Sequence, residues 1–340
     1  MSDSPVVAPF PSSPFKSDVL KGRVALITGG GSGIGFEIAR QLGLHGASIA
    51  IMGRREAPLQ AAVAALGAEG VQAVGVSGDV RKFEDCKKIV EATVSKFGKL
   101  DILVNNAAGN FLAPAEDLTP NGFKTVIEID TIGNVMFLSF IVHHLLFFSF
   151  SIFLCSFHSS FLFSSFLFLL NVQLGVFHMC QAAFPHLKTA GDSLIINISA
   201  TLHYGATWYQ SHASAAKAAI DSLTRSFALE WGEYGIRVNA IAPGPIANTA
   251  GLTKLSGGKQ VKPKRVPIRR FGETWDIAMV ALFLATAGGS LITGAALVAD
   301  GGAWLYSEPL APRDIIREMS KGIEKKSRET GIPTAKTSKL

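Results

Sequence analysis

Short runs of apolar residues alternate along this chain with longer stretches in which apolar positions recur every three or four residues. Val24 to Ile27, Ser48 to Met52, Val71 to Val76, Ile102 to Val104, Leu194 to Ile198, Val238 to Ala242 and Ala296 to Ala299 are the short runs, each of strand length. Between them, Ile34, Ile38 and Leu42 fall at four-residue spacing, and Leu59, Val63 and Leu66 share one helical face. Phe83, Ile89, Val90, Val94 and Phe97 line another helix, and a further one runs through Lys217 and Leu223. Continuous apolar strands separated by amphipathic helices predict an α/β fold. The expected form is a doubly wound, mostly parallel seven-stranded sheet with helices on both faces. Ligands of such sheets sit at the carboxyl ends of the strands, where strand order reverses.

One segment breaks the pattern. No Asp, Glu, Lys or Arg occurs from Thr131 to Leu187, and Val135 to Leu170 is almost entirely Phe, Leu, Ser and Ile. Its length suits a membrane span, but it shows neither helical nor strand period. Omitting Ile132 to Gln173 joins Ile129-Asp130-Thr131 to Leu174-Gly175-Val176-Phe177. That restores one helix with apolar positions at Phe177, Cys180, Phe184 and Leu187. Phe, Leu and Ser share pyrimidine-rich codons, so residues 132–173 read as an apolar insertion of retained intron sequence. The alternative is a membrane hairpin, which would split the sheet across a bilayer; membrane association is therefore not expected. A translated segment of this composition would expose Phe and Leu and favour aggregation.

The 340 residues suit a single domain over 21–310, preceded by a flexible arm over 1–20 that is rich in Pro and Ser up to Ser17. A net charge of +6, scattered or gathered in the C-terminal third, gives no support for a nucleic-acid partner. Cys86, Cys155 and Cys180 lack metal-ligand spacing and read as reduced thiols, and no metal site is expected. The tail over 311–340 is polar from Lys325 to Thr337 and ends Ser338-Lys339-Leu340, the tripeptide read by the peroxisomal import receptor. A peroxisomal location is the expectation.

The chemistry begins at Thr28-Gly29-Gly30-Gly31-Ser32-Gly33-Ile34-Gly35, between the first strand and the first helix. Gly29 permits a tight turn, Gly33 lets backbone approach a pyrophosphate, and Gly35 lets helix pack on strand. The helix start at Ser32 to Gly35 supplies N–H donors at the positive end of the helix dipole. A nicotinamide dinucleotide is the expected ligand. Met52-Gly53-Arg54-Arg55 closes the second strand with no acid before Glu56. Arginine there suits the 2′-phosphate of NADPH, whereas an acid would suit the ribose of NAD; NADPH is therefore the expected cofactor, a solvated loop being the alternative reading of Arg54 and Arg55.

This Thr-Gly-x-x-x-Gly-x-Gly spacing resembles the short-chain dehydrogenase/reductase family, whose fold is Rossmann-type. The likeness extends from Lys21 to Leu305, the apolar run excepted. It implies that Asp79 and Val80 contact the adenine and that Asn105-Asn106-Ala107-Ala108-Gly109 lies under the cofactor. It further implies that Arg237-Val238-Asn239, Pro243, Gly244, Ile246 and Thr249 hold the nicotinamide side, and that Asp300-Gly301-Gly302 is the C-terminal turn. Ordinary members carry Tyr-x-x-x-Lys, in which the tyrosine exchanges the proton and the lysine lowers its pKa. Here the lysine is Lys217, Ala213 holds the tyrosine position, Ala200 the serine position and Asp130 the helix asparagine position.

Those departures resemble one branch, the peroxisomal 2,4-dienoyl-CoA reductases, through Ala107 to Phe111, Ile129-Asp130-Thr131, His212 to Ala219 and Ala242 to Ile246. The resemblance implies hydride delivery from NADPH to the δ-carbon of a conjugated fatty acyl-CoA thioester, with a proton returning to carbon. Asp130 and Lys217 would hold the water-borne proton donor, and Lys217 would also bind the nicotinamide ribose. Asn110 and Phe111 would contact substrate, and Asn106 or Asn110 would orient the anionic thioester. Lys254, Lys259, Lys262, Lys264 and Arg265 suit coenzyme A phosphates or a solvated loop. Tyr204, Tyr209 and His212 read as loop residues, or one as a replacement acid. Apart from the family pattern, Asp130 and Lys217 read as solvated helix residues. A homo-oligomer is implied. The alternatives are another tyrosine-less reductase, or a cofactor-binding pseudoenzyme inactivated by the insertion.

Overall fold

A computed structural model describes residues 12–130, 175–255, 262–309 and 311–330, which fall into two units, Met1–Trp304 and Leu305–Leu340. In the first unit, β1 (Val24–Thr28), β2 (Ser48–Gly53), β3 (Ala73–Ser77), β4 (Ile102–Asn105), β5 (Ser193–Ile198), β6 (Ile236–Pro243) and β7 (Ala296–Ala299) form one sheet. Its order is β3-β2-β1-β4-β5-β6-β7, and every pairing is parallel. Strand order therefore reverses between β1 and β4, whose carboxyl ends flank the cleft.

The helices of this unit are α1 (Gly33–Leu44), α2 (Glu56–Ala68), α3 (Phe83–Phe97), α4 (Pro120–Asp130), α5 (Gly175–Ala190), α6 (Ser211–Trp231), α7 (Ala250–Leu255) and α8 (Thr274–Ala285). Alternate strand residues face opposite sides of the sheet, so each strand feeds two cores. Ala25, Ile27, Ile49, Ile51, Val104 and Ile196 pack with Ile38 and Leu42 of α1 and Ile277 and Leu282 of α8. Leu26, Ala50, Met52, Leu103 and Ile195 pack on the other side with Ile89 of α3, Met179 of α5 and Ile220 of α6. With both faces covered, the central strands β1, β4 and β5 are apolar apart from Thr28, Asn105, Ser193 and Asn197.

Several local readings change. The third strand begins at Ala73, because Val71 donates its N–H to Leu66 O and closes the turn after α2. In α5 the buried line is Val176, Met179, Cys180, Ala183 and Leu187. The predicted Phe177 and Phe184 lie on its flank, where Phe184 packs 4.8 Å from the Trp231 ring. Part of the expected N-terminal arm is anchored: Ser13 Oγ and His45 Nε2 are 2.8 Å apart, Phe15 meets the His45 ring edge-on, and Leu20 is buried. In the second unit, α9 (Arg313–Thr330) occupies much of the expected polar tail, with Ile315, Ile316 and Met319 exposed at helical spacing. Ser338-Lys339-Leu340 and Cys155 lie outside the described residues, and among those described no helix is long and apolar enough to cross a membrane.

The apolar segment also lies outside the described residues, but its flanks do not. A Cβ placed on Gly175 at the start of α5 would come within 2.4 Å of the Ile129 carbonyl oxygen near the end of α4. The chain thus resumes beside the place where α4 stops. Without residues 132–173, Gly175 would stand four positions after Ile129, the spacing of acceptor and donor in an α-helix. We expect the chain lacking Ile132–Gln173 to be more soluble than the full chain and to unfold in one cooperative transition. Circular dichroism melts of the two purified chains check this; an unfolded or aggregated shorter chain would refute it.

Candidate active site

The turn from β1 into α1 is bracketed by the end of β4. Thr28 Oγ1 accepts from the backbone N–H groups of Asn106 and Ala107 at 2.9 and 3.0 Å. Asn106 Nδ2 donates to Thr28 O at 3.0 Å and to Gly29 O at 3.3 Å. Asn106 therefore spends its amide donors on the glycine turn, which corrects its assignment to orienting substrate charge. Gly29 has φ of 66°, in the left-handed region that favours glycine. A Cβ on Gly35 would lie 2.3 Å from Asn106 Nδ2 and 2.6 Å from Gly29 O, so this glycine admits the turn and Asn106, more than the strand. Gly33, with φ of 58°, has no atom within 4 Å of a Cβ position, and Ser32 makes no side-chain cap at the start of α1. The helix start is thus open to a phosphate group.

Arg54 and Arg55 are exposed just past β2, and Ser77 Oγ donates to the Arg54 carbonyl at 3.3 Å. Across the cleft edge, both Asp79 oxygens accept from the Arg81 guanidinium, the shortest contact being 2.6 Å. Burial alone would raise the Asp79 carboxyl pKa, but the Arg81 hydrogen bonds prevail and hold it below the usual carboxylate range. Val80 is buried beside it. On the far side, Gly244 follows β6 so closely beneath Asp300 that a Cβ would meet the Asp300 Cβ at 2.5 Å. Pro243 ends the strand, Ile246 is buried, and Thr249 Oγ1 donates to Ile246 O at 2.8 Å. Arg237 and Asn239 play another part. Arg237 donates to Gly289 O and Leu284 O, and Asn239 Nδ2 donates to Ile292 O, so both tie the α8–β7 connection to β6.

A buried polar chain underlies the centre of the site. Asn105 Nδ2 donates to Asn197 Oδ1 at 2.9 Å and to Cys180 Sγ at 3.3 Å; Asn197 Nδ2 then donates to Thr224 Oγ1 at 2.9 Å. The chain links β4, α5, β5 and α6, and it was not apparent from spacing because its members look like ordinary strand and helix residues. Burial pushes the Cys180 and Cys86 thiols up to about 12, which suits inert core thiols. On α6, Lys217 is buried and donates Nζ to Ile198 O at 3.1 Å, unlike a solvated helix lysine. Ala213, one turn earlier on the same face, is 1% exposed. Ser199 is buried with its hydroxyl turned to Lys217 O, and Ala200, which follows it, is half-buried. Asp130 closes α4 in sequence; its side chain lies outside the described positions.

The loops after β4 and β5 meet over the site. Asn110 Nδ2 donates to Gln210 Oε1 at 2.7 Å, and the Phe111 ring lies 4.4 Å from the buried His212 ring. His203 Nε2 contacts Asp221 Oδ2 at 2.8 Å, one turn beyond Lys217. Burial first, then the Asp221 carboxylate, raise the Tyr204 pKa, so this hydroxyl is a weak candidate for a replacement acid. Lys254, Lys262, Lys264 and Arg265 are exposed on the segment after β6, while Lys259 lies outside the described residues. Among the described residues no cluster has the make-up of a metal site.

Comparison with known proteins agrees with this arrangement. Residues 23–148 match the family model described as short chain dehydrogenase, and residues 164–303 match that described as enoyl-(acyl carrier protein) reductase. A protein of Arabidopsis thaliana named peroxisomal 2,4-dienoyl-CoA reductase, (3E)-enoyl-CoA-producing, is 49% identical, covering 95% of this chain and 99% of its own. A zebrafish (Danio rerio) protein of the same name is 40% identical, covering 86% and 85%. The crystal structure of a short chain dehydrogenase from Bacillus anthracis superposes with a TM-score of 0.66 at 34% identity, covering 85% of this chain and all of its own. The seven-stranded parallel sheet, the glycine turn held by Asn106 and these likenesses agree: the chain belongs to the short-chain dehydrogenase/reductase family.

Proposed function

We propose that this protein is a peroxisomal NADPH-dependent reductase that converts 2,4-dienoyl-CoA thioesters to 3-enoyl-CoA. The observation that carries the reading is buried Ala213 one turn before buried Lys217. A tyrosine at that position would supply a proton to a carbonyl oxygen; alanine leaves the lysine without that acid. A conjugated thioester does not need it. Hydride adds at the δ-carbon, the double bond shifts, and one proton adds at the α-carbon, so two hydrogens are gained in all.

NADPH, when bound, supplies the hydride. Thr28, Gly29, Ser32, Gly33, Ile34 and Gly35 present the turn and helix start that would receive its pyrophosphate, and Arg54, exposed just past β2, would recognise its 2′-phosphate. Asp79, Val80, Asn106, Ala107, Pro243, Gly244 and Ile246 form the rest of the cofactor wall in this reading. Lys217, whose ammonium is anchored to Ile198 O, would bind the ribose and, with Asp130, the water that delivers the proton. Asn110 and Phe111 border the acyl group. The Arabidopsis and zebrafish relatives, both named as peroxisomal dienoyl-CoA reductases, support the substrate and the compartment. The import receptor would read Ser338-Lys339-Leu340, and a homo-oligomer belongs to the same reading, β7 being the last strand of the sheet among the described residues, with Val298 exposed.

Oxidation of NADPH with 2,4-hexadienoyl-CoA, followed by absorbance, tests this directly. We expect turnover by the chain lacking Ile132–Gln173; inactivity of both that chain and the full one would defeat the reductase reading. Lys217→Ala should lower kcat at least about 100-fold, the scale of a lost proton-transfer group. Turnover within about threefold of the parent would remove Lys217 from the chemistry. Arg54→Ala should raise the KM for NADPH about tenfold, the scale of a charge-assisted hydrogen bond, and change that for NADH far less. Equal effects on both cofactors would show that Arg54 does not read the 2′-phosphate.

A further inference from the structure

The loops after β4 and β5 are fastened to one another. Besides the Asn110–Gln210 hydrogen bond and the Phe111–His212 ring contact, Ala113 N donates to Tyr209 O at 2.9 Å. Tyr209 has φ of 62°, a left-handed conformation that an aromatic residue adopts only at a cost. Its carbonyl meets the neighbouring loop and its side chain stays half exposed, while the next residue, Gln210, is buried. The strained backbone thus keeps an aromatic ring on the surface of the clasp. Trp208 beside it is 79% exposed, with its ring 5.9 Å from that of Tyr209. Phe111 and Leu112 on the opposing loop are exposed as well.

Charge separates this surface from the rest of the cleft mouth. No Asp, Glu, Lys or Arg occurs from Asn105 to Ala115 or from Ser199 to Lys217's neighbour Ala216. The exposed cations Lys254, Lys262, Lys264 and Arg265 lie instead on the segment after β6. An acyl-CoA has the same division, with phosphates at one end and a hydrocarbon tail at the other. An uncharged aromatic surface fits the tail and offers nothing to the phosphates. The clasp also runs into α6, where His212, in contact with Phe111, directly precedes Ala213 and stands five residues before Lys217.

Resting on the reductase reading above, we propose that Phe111, Leu112, Trp208 and Tyr209 seat the hydrocarbon tail of the acyl thioester, and that Trp208 and Tyr209 set the chain-length preference. Each methylene moved from water onto an apolar surface changes affinity up to about fourfold. In the full chain, kcat/KM with saturating NADPH should therefore rise along 2,4-dienoyl-CoAs of six, eight, ten and twelve carbons until the seat is filled. Trp208→Ala and Tyr209→Ala should lower it progressively more as the chain lengthens, flattening the rise, and Trp208→Phe should restore most of the slope. A loss equal at every length, or none, would overturn the proposal. So would a change of oligomeric state in sedimentation with the chain-length slope intact, which would assign the patch to a second copy. Dissociation constants for saturated acyl-CoAs of the same lengths, read by calorimetry, test the seat without turnover. Length-dependent weakening in the variants there would support the seat even if no dienoyl-CoA were reduced; its absence would refute the seat while leaving the reductase reading to its own assay.

Discussion

The site depends on how neighbouring strand ends in a parallel sheet satisfy their backbone polar groups. Parallel strands all finish at the same edge, and the last carbonyls and N–H groups of β1 and β4 would be left open there. Thr28 and Asn106 close that edge reciprocally, one through its hydroxyl and the other through its amide. The glycine turn is consequently held from below, and the start of α1 is presented to the cleft without a side-chain cap of its own. The tight approach of Asn106 to Gly35 leaves no room for a Cβ, so one contact accounts for both the asparagine and the glycine.

The same economy runs deeper. Asn105, Asn197, Thr224 and Cys180 form a buried chain that joins β4, β5, α5 and α6. Buried polar groups are costly unless paired, and the bonds from Asn105 to Asn197 and from Asn197 to Thr224 fix the relative positions of the elements they join. Lys217 rides on the helix so fixed, its ammonium anchored to the carbonyl at the end of β5. Ala213 leaves no acid one turn before the lysine, and Asp221 one turn beyond it is engaged by His203. A chemistry in which the proton returns to carbon is the one that such a face suits.

Much of this was legible in the chain. The seven strands, the glycine turn and the buried faces of α1 and α3 follow from local periodicity, and each lies within a few residues of its expected place. The errors have physical causes. Phe177 and Phe184 look like the core of α5, yet the small residue Ala183 and the unbranched Met179 fit against the sheet, and the bulky rings pack on α6 at the flank. Arg237 and Asn239 look like cleft residues by family pattern, yet they sit early in β6 and bind the loop that leads into β7. The arm over 1–20 looks flexible in sequence, yet in its described part Phe15 and Leu20 find His45 and the core.

By itself the sequence determined the alternation of strands and helices, the position of the dinucleotide turn, and the replacement of tyrosine by alanine ahead of Lys217. These are properties of neighbours in the chain, where period, φ preference and side-chain identity are read directly. Only the tertiary structure decided how each polar group is used. Asn106 belongs to the glycine turn 77 or 78 residues away, Asn105 to Asn197 across 92 residues, and Asn110 to Gln210 across 100. A hydrogen bond needs its partner within about 3 Å at a favourable angle, and that partner is chosen by the folding of the sheet, not by position along the chain.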